Sequence, residues 1–193
     1  MTKRDHLKRL PPEFYRGLAV VHWTLTIRDR RVGWLSAAFY YRFRELLTHT
    51  CFRYALATPI FCLMPNHLHM LWMGLSKDSD QLLAMKHFRK SANESLRRID
   101  FALQDQSHDH VLSESERSDT AFREVFDYIA RNPERSNLVP VDGYAAYAYS
   151  GSLVPGYPQL RPFEANFWDQ FDRTMSHLRR EGLMRCDATT STK

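Results

Sequence analysis

Cys62-Leu63-Met64-Pro65-Asn66-His67-Leu68-His69-Met70-Leu71-Trp72 places two histidines one residue apart inside an apolar run. Side chains of an extended strand alternate between faces, so His67 and His69 project from one side while Leu68 and Met70 enter a core on the other. Two imidazoles on one rigid face can hold a divalent metal ion. Met64-Pro65-Asn66 has turn-forming chemistry, and Tyr54 to Leu63 ahead of it is a second apolar run, so the whole stretch reads as a β-hairpin. The spacing alone also admits a plainer reading, two half-buried histidines bonded to their neighbours.

Upstream, Leu18 to Ile27 is rich in β-branched and aromatic residues and stops at Arg28-Asp29-Arg30-Arg31, which predicts a first strand and a turn. From Leu35 to Phe52, apolar residues recur at three- and four-residue steps and predict a helix with one buried face. Downstream of the hairpin, Asp78 to Arg98 is polar apart from a stripe of Leu82, Leu83, Met85, Phe88, Ala92 and Leu96, with Ser79 or Asp80 as its cap. A fourth strand is expected within Phe101 to Leu112. Glu114 to Arg131 is expected to be helical through Ala121, Phe122, Val125, Phe126 and Ile129.

The order β-α-β-β-α-β-α predicts an α+β fold: a ferredoxin-like, antiparallel four-stranded sheet with the later helix over its open face. Beyond Leu138 the Gly/Pro/Tyr-rich residues to Pro162 read as ordered loop, and Phe163 to Gly182 as a terminal helix. The expected division is one domain over 1–160, basic leader included, then a C-terminal helix and disordered tail over 161–193.

The 193 residues carry 27 Lys+Arg against 22 Asp+Glu, a net charge of +5, which suits a polyanionic partner without requiring one. Cys51, Cys62 and Cys186 form no Cys-x-x-Cys pair, which argues against a disulfide framework and a thiolate zinc site and favours a reducing cytoplasm. Met1 to Pro12 lacks the apolar stretch of a signal peptide, and no segment has the roughly 20 apolar residues of a membrane span.

One further segment carries chemistry, Tyr128-Ile129-Ala130-Arg131-Asn132-Pro133-Glu134-Arg135-Ser136-Asn137-Leu138-Val139. Tyr128 and Asn132 are four apart and share a face if the helix continues. Read alone, Tyr128 is an amphipathic aromatic at a helix edge and Asn132 the N-cap of a short helix beginning at Pro133. Together with Met64-Pro65-Asn66-His67-Leu68-His69, however, the segment resembles the HUH single-tyrosine transposases, and especially the REP-associated tyrosine transposases. Their signatures are Met-Pro-Asn-His-hydrophobic-His and, downstream, Tyr-Ile-x-x-Asn-Pro-x-x-x-Gly-Leu-Val. The resemblance extends over about residues 14 to 153.

That resemblance implies the HUH endonuclease fold, Tyr128 as the catalytic tyrosine, and His67, His69 and Asn132 as ligands of Mg²⁺ or Mn²⁺. It implies cleavage of single-stranded DNA, in hairpin form, to a 5′-phosphotyrosine linkage and a free 3′-hydroxyl, followed by rejoining to another 3′-hydroxyl. The protein would be a monomer or homodimer, cytoplasmic and nucleoid-associated when bound to DNA. Two departures stand out: Asn137 where the family has Gly, and Ser113 where an Arg often follows a run like Asp109-His110-Val111-Leu112. Asn tolerates the left-handed conformation. An Arg lost at Ser113 removes a phosphate contact, which keeps open a domesticated protein that binds hairpins without cutting them. A metal-dependent phosphoesterase is the third alternative.

Lys86, Arg89, Lys90, Arg97 and Arg98 crowd the second helix against one acid, Glu94. Lys86, Lys90 and Arg97 share a face that can follow phosphates, and Arg28, Arg30 and the leader residues Lys3, Arg4, Lys8 and Arg9 add further candidates. The ordinary reading of such a stripe is a solvated helix face. His108 and His110 form another His-x-His pair, which with His67 and His69 would make a four-histidine site suited to zinc, but both are expected at the surface or bonded to backbone. His22, His49, His87 and His177 are expected to be structural or surface groups. Trp23, Trp34 and Tyr144, Tyr147 and Tyr149 can stack on bases, although core filling is the commoner role.

Overall fold

The structure is a computed structural model that describes residues 9–181. The leader residues Lys3, Arg4 and Lys8, Cys186 and the expected disordered tail lie outside the described residues.

The expected elements form in the expected order, with α1 displaced two residues toward the C-terminus, β2 ending one residue later, and the others within shorter bounds. They are β1 (Val20–Thr26), α1 (Ala37–Tyr54), β2 (Leu56–Met64), β3 (His67–Gly74), α2 (Gln81–Arg97), β4 (His108–Val111) and α3 (Asp119–Ala130). Local chemistry fixes their ends. Ser36 caps α1 by accepting from Phe39 N, and Asp80 caps α2 by accepting from Leu83 N. Pro65-Asn66 closes the β2–β3 hairpin, with Met64 paired to His67.

Four strands were expected and the sheet has five. β5 (Ser150–Leu153) lies in the Gly/Pro/Tyr-rich stretch expected to be loop and adds to the outer edge of β2, giving the antiparallel order β4-β1-β3-β2-β5. A short helix α4 (Asn132–Arg135) follows α3, and α5 (Phe167–Glu181) closes the described chain. The fourth strand is also much shorter than its expected segment, because Leu103 contributes only an isolated bridge to Ile27. β2 contains Pro59, which has no N–H to give a neighbour, and the ladders to β3 and β5 both shift register around it.

The sheet is covered on both faces. Val21, Trp23, Leu25, Phe61, Leu63, Leu68, Met70 and Trp72 pack beneath α1 and α2 with Phe43, Leu47 and Phe88. Val20, Ile60, Cys62, Met64, Leu71 and Met73 point the other way, toward Phe122, Phe126 and Ile129 of α3 and Phe167 and Phe171 of α5. This two-sided burial explains why β2 and β3 read as continuous apolar runs rather than alternating ones. Trp23 and Trp34 are fully buried, so they belong to the core. Among the described residues, no helix is long and apolar enough to cross a membrane.

Candidate functional site

The strand registers build a row of polar side chains on the α3 face. His67 lies opposite Thr26, His69 opposite Thr24, and Leu71 opposite His22, while His22 in turn pairs with His110 and Thr24 with His108. His22, Thr24, His67 and His69 therefore share one face.

His67 Nε2 and His69 Nε2 stand 3.0 Å apart. Each ring is held from its far side. His67 Nδ1 lies 2.6 Å from Asn66 Oδ1, and His69 Nδ1 lies 3.0 Å from His22 Nε2 and 3.1 Å from Thr24 Oγ1. Burial depresses all three histidines. It takes His69 down to about 2, with the neighbouring His22 and His67 adding to the effect, and His22 to about 4, with His110 and His108 contributing. His67 is lowered by burial and by the charge of Arg30. Near neutral pH the rings are uncharged, the form in which imidazole binds metals.

α3 carries Tyr128 to this row. Its ring centre lies 6.2 Å from that of His69 and 6.0 Å from that of His22, and the residue remains 44% exposed. The Arg135 guanidinium lies over the same ring at 4.3 Å. Its neighbour Arg131 takes the nearby acids Glu134 and Asp142 as partners.

Asn132, the first residue of α4, is buried and donates Nδ2 to the Tyr128 carbonyl at 2.9 Å and to that of Ile129 at 3.3 Å. Helix geometry lapses at Arg131, yet the bond from Asn132 to Tyr128 still spans the break. Asn137 sits at φ 53°, the left-handed position for which asparagine suffices in place of glycine.

The residues fit a metal ion. Bonds of about 2.1 Å at right angles set neighbouring ligand atoms about 3.0 Å apart, which matches the separation of the two Nε2 atoms and suits an octahedral ion such as Mg²⁺ or Mn²⁺. Asn66 Oδ1 can only accept, so His67 Nδ1 carries the proton and Nε2 presents its lone pair. Asn132 has committed its amide nitrogen to carbonyls, which leaves Oδ1 outside those bonds and able only to accept. Among the described residues no three His, Cys, Asp or Glu side chains are grouped to hold a metal, so a four-histidine site with His108 and His110 does not form.

His110 instead bonds Glu116 through Nε2 at 2.8 Å. Glu116 is also bonded by Ser113 N and Oγ, and these bonds, with that of His110, hold its carboxyl down to about 2. The position expected to hold an arginine is thus occupied by a serine that closes a turn around a carboxylate.

The basic candidates divide. Arg30 acts on His67 through its charge. Arg28 pairs with Asp105, and Arg89 is half-buried and donates to the Gln104 carbonyl. Lys86, Lys90 and Arg97 are exposed on α2, whose packing lies on the opposite face of the sheet from the histidines.

In the sequence alone His22 stands as an isolated histidine and Arg135 carries no role. The signal for His22 was the alternation His22-x-Thr24-x-Thr26 against buried Val21, Trp23 and Leu25, which marks a polar face on β1.

A doubly covered antiparallel sheet with paired histidines beneath a tyrosine-bearing helix defines the class of architecture. A solved REP-associated tyrosine transposase bound to a REP hairpin has a similar fold, with a TM-score of 0.63 and 17% sequence identity over 89% of this chain and 88% of that one. No protein-family model and no curated protein matches the sequence.

Proposed function

We propose that this protein is a metal-dependent transposase of the HUH single-tyrosine type that cuts and rejoins single-stranded hairpin DNA through Tyr128. The observation that carries the reading is the convergence of three groups: two neutral imidazoles with Nε2 atoms 3.0 Å apart, and a tyrosine ring 6.2 Å from one of them. The hairpin-bound transposase of similar fold supports DNA as the partner.

On this reading the Tyr128 oxygen attacks the scissile phosphorus, and the bond from phosphorus to the 3′-oxygen breaks. The phenol proton is lost, one proton is taken up by the departing 3′-oxygen, and a 5′-phosphotyrosine remains. Because that linkage is still an activated ester, a second 3′-hydroxyl can reverse the step and join strands. Mg²⁺ or Mn²⁺, held by His67, His69 and Asn132, would neutralise charge on the non-bridging phosphate oxygens. Arg135 holds the Tyr128 ring by its face and presents N–H donors beside it. The site of action is then cytoplasmic, on nucleoid DNA.

The test uses a labelled library of hairpin oligonucleotides with randomised single-stranded flanks, incubated with protein and Mn²⁺. A protein–DNA adduct that survives denaturation is expected, and Tyr128→Phe should abolish it. Tight binding without adduct under any metal would favour a non-cleaving hairpin binder, the reading to which Ser113 and Glu116 lend support. Metal-dependent phosphoester turnover that survives Tyr128→Phe would indicate a phosphoesterase.

A further inference from the structure

We infer that His22, together with Thr24, is a positioning residue for His69: the two accept the Nδ1–H that His69 must carry when its Nε2 faces a metal ion. This rests on the proposed role of His67 and His69 as ligands.

A neutral imidazole has one N–H and one lone pair. His67 has its proton on Nδ1, because Asn66 Oδ1 at 2.6 Å can only accept. Its Nε2 therefore brings a lone pair to the 3.0 Å contact with His69 Nε2, and without a metal that contact needs a proton from His69. His69 then accepts at Nδ1, from His22 Nε2 at 3.0 Å or Thr24 Oγ1 at 3.1 Å.

An ion shared by both Nε2 atoms reverses the second half of this chain. His69 Nε2 must present its lone pair, so its proton moves to Nδ1 and a donor now faces Thr24 and His22. A threonine hydroxyl can donate or accept, and an imidazole can do either by changing tautomer. His22 meets the change by carrying its own proton on Nδ1, so the two rings exchange tautomers with no net proton gained or lost. The two ligands are thus prepared differently. Asn66 presets His67 in the ligating form, whereas His69 rests in the wrong form and needs a partner that can turn round. Groups that hold the distal nitrogen of a metal-binding histidine govern its orientation and basicity.

The experiment measures metal binding by the full chain without DNA. Free Mn²⁺ is followed by electron paramagnetic resonance. His22→Phe combined with Thr24→Val should weaken Mn²⁺ binding about tenfold or more, while His22→Gln, which keeps a donor and an acceptor at similar reach, should stay within about threefold of wild type. If the double variant does not fold, ¹⁵N spectra of the imidazoles in wild-type protein decide. On saturation with diamagnetic Mg²⁺, the His69 proton should pass from Nε2 to Nδ1. Unchanged Mn²⁺ affinity in the double variant, or a His22 that keeps its Nε2 proton while that of His69 moves, overturns the inference while leaving the ligand pair in place. A His69 that keeps its Nε2 proton with Mg²⁺ bound removes His69 as a ligand and overturns both. Mn²⁺ binding that survives His67→Ala, or that is absent from wild type, overturns the ligand pair and the inference together.

Discussion

His22 and His69 enter the fold uncharged, because burial and neighbouring histidines hold them at about 4 and about 2. In the unfolded chain both titrate near 6.5, so below that pH the unfolded state takes up protons that the folded state refuses. Stability is complete above about 6.5 and falls as the pH drops, by up to about 1.4 kcal/mol per pH unit for each ring. In buffer containing a chelator, the urea midpoint should fall between about pH 7 and pH 5, and His22→Gln should flatten the fall. A midpoint that does not move would mean that the rings charge freely in the folded protein. The histidine pair and Tyr128 were legible in the sequence because each belongs to a contiguous motif. His22 was not, since only the β1–β3 register, pairing His22 with Leu71 and Thr24 with His69, brings it to the site from 47 residues away.

At the scale of elements, the position of Tyr128 depends on how α3 is clamped. The inner side of the helix presents Phe122 and Phe126, and α5 covers them: Phe126 lies 4.7 Å from Trp168 and 5.4 Å from Phe167, ring to ring. Arg123 adds a guanidinium 4.5 Å over Trp168. Phe126 is almost wholly buried, and truncation of such a ring costs about 3 kcal/mol or more. Phe126→Ala should lower the free energy of unfolding by that amount, read from urea denaturation. If Tyr128 is the nucleophile, it should also reduce adduct yield more than hairpin affinity, because the tyrosine is loosened while the exposed basic residues of α2 remain in place. Equal losses in both would show that α3 has no special part in delivering the tyrosine. The helices were legible from their apolar stripes. β5 was not, because Ser150-Gly151-Ser152-Leu153 has little strand propensity and is held by its neighbour: Gly151 pairs with Phe61, and a Cβ added there would lie 2.9 Å from that ring. Likewise the β2 bulge follows from Pro59 only once β2 is known to have a partner on each side.

For the whole molecule, the two covered faces separate chemistry from charge. Histidines and tyrosine occupy the α3 face, whereas Lys86, Lys90 and Arg97 project from α2 on the other side. Arg9 belongs to the α2 side as well: it lies over Trp23 and beside Lys86 and Lys90, bonded to Asp109 and Ser107 of the β4 edge. DNA held by α2 would therefore reach the tyrosine only by passing an edge of the sheet, and phosphate contacts on α2 would add affinity without touching the reacting phosphate. Each lysine that meets a phosphate should steepen the salt dependence of binding by about 0.9 in log–log slope for duplex and about 0.7 for single strand. Fluorescence anisotropy over a salt series, using the oligonucleotide recovered from the adduct, should give a shallower slope for Lys86→Ala with Lys90→Ala than for wild type. Adduct formation at saturating DNA should stay at the wild-type rate. A slope that does not change assigns these lysines to a solvated helix face, and a slowed rate at saturation would bring α2 to the scissile phosphate despite the intervening sheet.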